Sequence, residues 1–225
     1  MSRPASVAID GPVASGKSAV GSRLADKWGY LFFDTGLWYR AVTYLALQKW
    51  GAVNDVAAVV ALAQQVQLEI RPPTVNDGRQ CTLLADNADL TWAVRAPDVE
   101  ANVSPVAAIA AVRQTLTARM RQVGLRGQIV MVGRDVGTVI LPEAELKVFL
   151  TATVDVRARR RFLEFQARGE EHDYAAILAN LRERDHRDTS RLAAPLRPAE
   201  DAIVLDTSYL DVEGVVAAIE ALVAD

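Results

Sequence analysis

A glycine-rich loop near the start of the chain constrains its fold more than any other feature. Residues 11–18 read Gly-Pro-Val-Ala-Ser-Gly-Lys-Ser, which fills every fixed position of the phosphate-binding loop pattern. Apolar residues 6–10 predict a strand before it, and residues 19–28, with Val20 and Leu24 on one face, predict a helix after it. The N–H groups of such a loop and the following helix N-terminus form a concave anion site. The pattern therefore predicts an α/β domain that binds a nucleoside triphosphate.

Each loop residue is expected to contribute to phosphate binding. The predicted ATP-binding residues are Gly11, Pro12, Val13, Ala14, Ser15, Gly16, Lys17 and Ser18. Lys17 is expected to reach the terminal phosphates, and the Ser18 hydroxyl is expected to hold Mg²⁺. The alternative is an ordinary glycine turn between a strand and a helix. Two glycines, a lysine and a serine at this spacing disfavour that alternative.

Composition excludes several classes of protein. The chain has 225 residues, 51% of them hydrophobic, and a mean hydropathy of +0.10, as in a globular domain. Its net charge of −3 argues against nucleic acid or an anionic membrane as a partner. Cys81 is the only cysteine, so an internal disulfide is impossible, and we interpret it as a small core residue. No apolar stretch reaches membrane-spanning length and no leader pattern is present, so we expect a cytoplasmic protein. No coiled coil or exposed adhesive edge is evident in the sequence, so we expect a monomer.

Short apolar runs separated by helical segments outline the predicted core. The expected parallel strands are Val7–Asp10, Tyr30–Phe33, Ile129–Val132, Leu146–Leu150 and Ala202–Leu205. The expected later helices are Thr35–Trp50, Val56–Val66, Val106–Val123 and Val212–Val223. Asn54 is expected to cap the second of these, and Pro105 to open the third. Ser208 and Asp211 are expected to form a capping box before the last.

An insertion interrupts the alternation of strands and helices. Residues 66–70 alternate apolar and polar, Asn76-Asp77-Gly78 is a strong turn signal, and residues 80–85 predict a second strand. This pattern indicates an antiparallel β-hairpin with one buried face. We interpret residues 66–104 as a small subdomain that forms a wall of the substrate site. The alternative is a hairpin without a role in binding.

An arginine-rich segment follows the fourth core strand. Its arginines are Arg157, Arg159, Arg160, Arg161, Arg168, Arg182, Arg184, Arg187, Arg191 and Arg197. They outnumber the acidic residues of the segment, although the whole chain is acidic. Arginines on a mobile helical segment can stabilise the charge of a triphosphate during phosphoryl transfer, so residues 157–191 are predicted to form a lid. The alternative is a solvated helix face with i,i+4 ion pairs.

Three motifs follow predicted strands or lie in the arginine-rich segment. They are Asp34-Thr35-Gly36-x-x-Tyr39-Arg40, Gly133-Arg134-Asp135-x-Gly137-Thr138 and Glu183-Arg184-Asp185-x-x-Asp188-x-x-Arg191. The first two lie at carboxyl ends of strands, where open α/β sheets bind ligands. No Asn precedes a Lys, so the guanine-recognition motif of GTPase switches is absent. With the phosphate-binding loop and the hairpin, this order of motifs resembles bacterial-type cytidylate kinases over essentially the whole chain.

The resemblance implies a fold and a reaction. The fold is a single domain over residues 1–225 with five parallel strands in the order 2-3-1-4-5, an acceptor subdomain and a lid. The reaction is transfer of a phosphoryl group from ATP, with Mg²⁺, to CMP or dCMP. One alternative is another small kinase that acts on UMP, AMP or a non-nucleotide acceptor. The less favoured alternative is a regulatory ATPase that binds nucleotide.

The resemblance also implies the acceptor-site residues. Arg40 and Arg134 match the family's arginines at the acceptor phosphate, with Arg191 nearby. Residues matching Ser104, Arg113 and Asp135 read cytosine in the family. The remaining implied contacts are Asp188 and Arg184 at the pentose, Thr35 lining the acceptor site and Tyr39 packing beside it.

The chemistry of the two substrates is consistent with these residue types. An ionised Asp135 can accept from the exocyclic amine of cytosine, and uracil has a carbonyl there, which a carboxylate would repel. The residues expected to offset the charge of the two phosphates are Lys17, Arg40, Arg134, Arg184 and Arg191. No general base is needed, because the acceptor phosphate is already ionised at neutral pH.

Several of these positions also have plainer interpretations. Asp34 and Ser104 can each cap a helix, and Arg113 alone would pass as a surface arginine. Asp135 can instead pair with Arg134 or hold a water of the Mg²⁺ shell. In the arginine-rich segment, Asp185 can pair with Arg182 or Arg184.

Overall fold

Strands and helices extend from residue 6 to residue 221 in this protein. The computed structural model describes residues 3–191 and 193–223. Its elements in chain order are β1 (Ser6–Asp10), α1 (Lys17–Trp28), β2 (Leu31–Asp34), α2 (Gly36–Trp50), α3 (Val56–Gln65), β3 (Leu68–Arg71), β4 (Thr82–Ala85), β5 (Ala88–Asp89), α4 (Pro97–Ala108), α5 (Ala110–Gly124), β6 (Ile129–Gly133), β7 (Leu146–Thr151), α6 (Val154–Ala167), α7 (Tyr174–Ser190), β8 (Ile203–Asp206) and α8 (Val212–Ala221).

The main sheet is parallel and has the strand order β2-β6-β1-β7-β8. In order of appearance, its strands are arranged 2-3-1-4-5, so the predicted α/β fold is confirmed. Central strands β1 and β6 are buried at every residue, because helices cover both faces of the sheet. In their register Asp10 pairs with Gly133. The loops after these two strands therefore begin side by side at the carboxyl edge of the sheet.

A second, antiparallel sheet has the order β3-β4-β5. Leu68 and Ile70 of β3 are buried while Glu69 and Arg71 are exposed, as the alternating pattern predicts. The inserted hairpin is therefore confirmed. Its third strand, β5, was not predicted, because two residues are too short to carry an alternating pattern.

Two predicted helix starts are wrong. Asp55, not Asn54, caps α3 and accepts from the N–H of Ala58. Pro105 does not open a helix, because it lies inside α4, and the next helix begins at Ala110. The rule for proline in the first turn applies instead to Pro97, where a missing N–H costs nothing.

The predicted capping box before the last helix is also wrong. Asp211 caps α8 and accepts from the N–H of Gly214. The Ser208 hydroxyl instead accepts from the N–H of Thr153, which lies just before α6. Because one aspartate satisfies the first turn, the sequence pattern of a reciprocal box does not form.

Helices α6 and α7 have a small apolar core of their own. Ala158, Ile177 and Leu181 are buried in it, separately from the main core, and Val13 of the phosphate-binding loop packs against it. The predicted lid, residues 157–191, begins inside α6, and the predicted end of the inserted subdomain, residue 104, lies inside α4. Within the described residues, no helix is long and apolar enough to cross a membrane.

Candidate active site

Backbone geometry in the phosphate-binding loop requires glycine at two positions. Gly11 has a φ of 151°, and a Cβ there would lie 2.1 Å from the carbonyl oxygen of Leu150. Gly16 has a φ of 93° and is the N-cap of α1, where no side chain caps the first turn. The N–H groups that begin α1 are therefore left for an anion.

The carbonyl oxygens of this loop are engaged by protein donors. The pairs are Gly11 with Arg134 Nη1 at 3.3 Å, Pro12 with Lys17 Nζ at 2.5 Å, Val13 with Arg157 Nη1 at 3.1 Å and Ser15 with Thr207 Oγ1 at 3.3 Å. A carbonyl oxygen facing a phosphate would repel it. Holding these oxygens elsewhere favours an anion inside the loop.

Lys17 is the buried cation of the loop, with 7% of its surface exposed. Burial and the neighbouring Arg134 lower its pKa well below the usual value. The carboxylates of Asp34, Asp10 and Asp188 raise the pKa by less. Such a charge has lost most of its water, so it interacts strongly with any phosphate that enters.

Ser18 and Asp34 place two hard oxygen atoms beside the loop. The Ser18 hydroxyl donates to Asp34 Oδ2 at 2.9 Å, while Asp34 Oδ1 accepts from the N–H of Gly36 at 3.0 Å. Asp34 thus both caps the start of α2 and contacts the predicted metal residue. One hydroxyl and one carboxylate, completed by phosphate oxygens and water, fit Mg²⁺, which takes few protein ligands at such sites. The described residues contain no cluster of three or more His, Cys, Asp or Glu side chains that could hold a metal ion.

Ala14 is a non-glycine residue whose backbone is in the left-handed conformation, at a φ of 59°. Replacing Ala14 with glycine should raise the free energy of unfolding by about 0.5–1 kcal/mol, because the strain of a left-handed alanine exceeds the entropy that glycine loses. Chemical denaturation measures this change. In the exposed interior of α5, Ala118→Gly should lower the stability by about 1 kcal/mol. Equal signs for the two variants would contradict the prediction.

Carboxylates pair with three of the arginines expected at the acceptor phosphate or pentose. Arg40 on α2 and Arg184 on α7 both contact Glu100 of α4, each at 2.5 Å. Arg134, just after β6, contacts Asp188 of α7 at 2.6 Å. Burial raises the pKa of Asp188, but Arg134 and other arginines lower it more, so the net shift is downward. These pairs hold α7 against the carboxyl edge of the main sheet.

A second group of charges surrounds Asp135, of which 4% is exposed. Arg113, also buried, donates to Asp135 Oδ2 and lies over the Tyr39 ring, 5.5 Å from its centroid. Nη2 of Arg191 lies 3.6 Å from Asp135 Oδ1, is buried and has no hydrogen-bond partner among the described residues. The plainer interpretation of Arg113 as a surface residue is therefore wrong. Asp135 pairs with Arg113 rather than with Arg134.

The remaining predicted residues, Thr35 and Ser104, lie at the start of α2 and inside α4. The Thr35 hydroxyl donates to the carbonyl of Val132 at 2.9 Å, so it ties the start of α2 to the end of β6. Ser104 lies inside α4, so it does not cap a helix, and it follows Glu100 by one turn on the same helix face. From the inserted sheet, Gln80 donates to the carbonyl of Ser18 at 3.2 Å.

Sequence reasoning missed the roles of Glu100, Asp10 and Arg157. The buried carboxylate of Asp10 accepts from the N–H groups of Val136 and Gly137, at 2.8 and 2.7 Å, and so holds the turn that begins beside Asp135. Burial raises the pKa of Asp10 to about 6, despite these two bonds. The position of Asp10 at the end of a buried strand, next to the loop, was the available signal.

Arg157 connects three elements. Besides the carbonyl of Val13, it contacts both carboxylate oxygens of Asp185, at 3.0 and 2.5 Å, and the carbonyl of Ala152 at 3.0 Å. Asp185 therefore pairs with Arg157 of α6, and the alternative pairing with Arg182 or Arg184 is wrong. An arginine in the first turn of a helix after a core strand was the only sequence signal for this contact.

Comparison with known proteins identifies the family of this chain. The family model described as cytidylate kinase matches residues 7–225. The chain belongs to the cytidylate kinase family. The resemblance seen in the motifs is therefore confirmed, and so is the assignment of the chain as a nucleoside monophosphate kinase.

Individual relatives cover nearly the whole chain. It is 49% identical to the cytidylate kinase of Herpetosiphon aurantiacus over 223 residues, which are 99% of this chain and 96% of that protein. It is 43% identical to that of Streptococcus agalactiae over 95% of this chain and 93% of that one. A bifunctional pantoate ligase/cytidylate kinase of Synechococcus elongatus is 46% identical over 93% of this chain, but only 40% of that protein is covered.

Solved structures share the fold at low sequence identity. A shikimate kinase from Bacteroides thetaiotaomicron aligns with a TM-score of 0.51 and 11% identity over 98% of both chains. A gluconokinase from Sinorhizobium meliloti aligns with a TM-score of 0.51 and 15% identity, over 98% of this cytidylate kinase family member and 92% of the gluconokinase.

Proposed function

We propose that this enzyme transfers the γ-phosphoryl group of ATP to CMP and dCMP by direct in-line displacement. One observation carries the proposal. The phosphate-binding loop with buried Lys17 meets, at one edge of the sheet, a set of arginines and the buried Asp135–Arg113 pair. Binding two anionic substrates requires such cations, and cytosine selection requires a carboxylate that can accept from its amine.

The donor half of the site is the loop from Gly11 to Ser18. Its N–H groups and the uncapped start of α1 would bind the phosphates of ATP, and Lys17 would stabilise charge on the transferred group. Ser18, together with Asp34, would hold Mg²⁺, which would supply positive charge to offset the negative charge of the phosphates. Arg157 donates a hydrogen bond to the carbonyl of Val13 and so supports the loop.

The acceptor half is formed by the arginine cluster, defined as Arg40, Arg134, Arg184 and Arg191. Their guanidinium groups would bind the acceptor phosphate and reduce its repulsion by the γ-phosphate. Arg191 has a buried Nη2 without a hydrogen-bond partner in the described part of the chain, so a donor is available there at no cost in broken bonds. Thr35 and Tyr39 would line this half. Asp188 would meet the pentose, and Arg184 would reach both the pentose and the phosphate.

Cytosine would be read by Asp135, with Arg113 and Ser104 donating to the other polar atoms of its edge. The Arg113 contact uses one oxygen of the carboxylate and orients it. Its other oxygen can accept from the exocyclic amine. Uracil would leave that oxygen facing a carbonyl oxygen. The two oxygens would repel each other, so UMP would bind more weakly than the loss of one hydrogen bond alone explains.

Closure over the two nucleotides would involve α6 and α7 as a lid. Their separate apolar core allows them to move as a pair, and ion pairs rather than apolar packing join α7 to the acceptor half. Closure would exclude water, which otherwise competes with CMP for the phosphoryl group.

Turnover on four acceptors tests the proposal. Purified protein with ATP and Mg²⁺ is incubated with CMP, dCMP, UMP or AMP, and ADP release is followed with a coupled assay. We expect CMP and dCMP to be the best acceptors and to yield CDP and dCDP. Best turnover on AMP or UMP would refute the cytosine assignment. Hydrolysis of ATP without transfer to any of the four would favour a regulatory ATPase.

A further inference from the structure

Glu100 is an acidic side chain placed between two arginines of the acceptor half. Its Oε2 accepts from Arg40 Nη2 and its Oε1 accepts from Arg184 Nη1, both at 2.5 Å. Arg40 belongs to α2, Glu100 to α4 and Arg184 to α7. One carboxylate therefore joins the N-terminal part of α2, a helix that follows β2 at the sheet edge, to a helix of the predicted lid.

The two bonds leave most of each guanidinium group available. Arg40 uses Nη2 and Arg184 uses Nη1 in these contacts, so Nε and the other Nη of each side chain take no part in them. A carboxylate held from both sides in this way fixes the distance and the orientation of the two cations. Without the carboxylate of Glu100, the two neighbouring guanidinium charges would repel each other.

The charge of Glu100 persists through the physiological range. Burial raises the pKa of its carboxyl, but Arg40 and Arg184 lower it more, and the net pKa is about 2. The side chain is 30% exposed, and those of Arg40 and Arg184 are 23% and 17% exposed, so water screens the contacts only in part.

We propose that Glu100 is a positioning residue, which holds Arg40 and Arg184 side by side so that their free N–H groups bind one acceptor phosphate together. This inference rests on the proposed function, because it needs an acceptor phosphate at these arginines. Pre-orientation lowers the entropy lost when two long side chains are immobilised on one ligand. It also couples acceptor binding to the approach of α7.

The direction of the change in the KM for CMP distinguishes positioning of the arginines by Glu100 from competition between Glu100 and the phosphate. If Glu100 positions the arginines, removing its charge should weaken CMP binding. If it merely competed with the phosphate for the same N–H groups, removing its charge should strengthen CMP binding, because the site would become more positive.

The test compares Glu100→Gln, which keeps the size and removes the charge, with Glu100→Asp. At saturating ATP we expect Glu100→Gln to raise the KM for CMP about ten-fold, the cost of one charged contact, with the KM for ATP within about two-fold. Glu100→Asp keeps the charge and should recover part of the loss. The control is Glu143→Gln, which breaks an ion pair with Arg121 outside the site and should change neither KM. An unchanged or lower KM for CMP in Glu100→Gln would overturn the proposal.

A double-mutant cycle tests whether Glu100 acts through its arginine. In an Arg184→Ala background, Glu100→Gln should raise the KM for CMP by only about three-fold, because half of its contacts are already gone. Equal increases in both backgrounds would refute positioning and indicate a general effect on folding. The cycle also distinguishes positioning from a loss of stability in Glu100→Gln. Arg184→Ala would not reduce the effect of such a loss on the KM for CMP.

The wild-type protein separates this inference from the proposed function. If wild type does not phosphorylate CMP, the proposed function fails, and the inference fails with it. If wild type does so and Glu100→Gln behaves like Glu143→Gln, the positioning role alone fails.

Discussion

Replacing Lys17 with methionine should lower kcat about 10³-fold, with the melting temperature unchanged or higher. Oxyanion donors of this kind are worth about 10²–10³ in kcat, and the buried Lys17 ammonium adds a full charge in a site with little water. Methionine keeps most of the side-chain volume and removes a charge whose burial is costly, so the fold should not be weakened. Steady-state kinetics and thermal unfolding measure the two effects.

Lys27→Met is the matched control. Lys27 lies at the other end of the same helix, half exposed, and pairs with Glu220 on α8. Its replacement should leave kcat within about two-fold, because an exposed ion pair contributes little. Comparable kcat values for Lys17→Met and Lys27→Met would contradict the proposed role of the loop.

Asp135→Asn should combine a loss of stability with a loss of cytosine selection. Removing the carboxylate leaves Arg113 as a buried cation without its partner, which should cost about 3 kcal/mol in the free energy of unfolding. The kcat/KM for CMP should fall about 10²-fold, and the KM for ATP should change much less. The ratio of kcat/KM for CMP to that for UMP should fall too, because an amide can donate to the uracil carbonyl.

Asp201→Asn separates the two consequences. Asp201 is the carboxylate partner of Lys147, whose side chain is 8% exposed, and it lies outside the acceptor half. This variant should lose some stability without changing the ratio between CMP and UMP. Equal losses for CMP, UMP and ATP in Asp135→Asn would refute base recognition and assign Asp135 a structural role alone.

Local patterns were sufficient to predict the core of this protein. The glycines, Lys17 and Ser18 occupy consecutive or nearly consecutive positions, and each buried strand is a continuous apolar run. Helix starts were predicted less well. The first turn of α3 is satisfied by Asp55 instead of its neighbour Asn54, because the choice depends on the backbone angles of the cap.

Pairing between charges depended on the fold. Glu100 and Arg184 are 84 residues apart, and Asp10 contacts a turn 126 residues later. No periodicity or spacing relates such positions, and each arginine of the lid has several acidic residues near it in the chain. A pairing of Asp185 within its own helix was one interpretation of the sequence, yet its partner is Arg157 on α6.

The amino-acid order thus predicted the phosphate-binding loop and the succession of strands and motifs, because those features are encoded by short-range spacing and by apolar periodicity. Which carboxylate faces which arginine, and therefore how the acceptor half is held together, was settled when the parallel sheet brought the ends of β1, β2 and β6 to one edge and α7 packed over them. The physical reason is that an ion pair depends on distance in space, and distance along the chain says little about it.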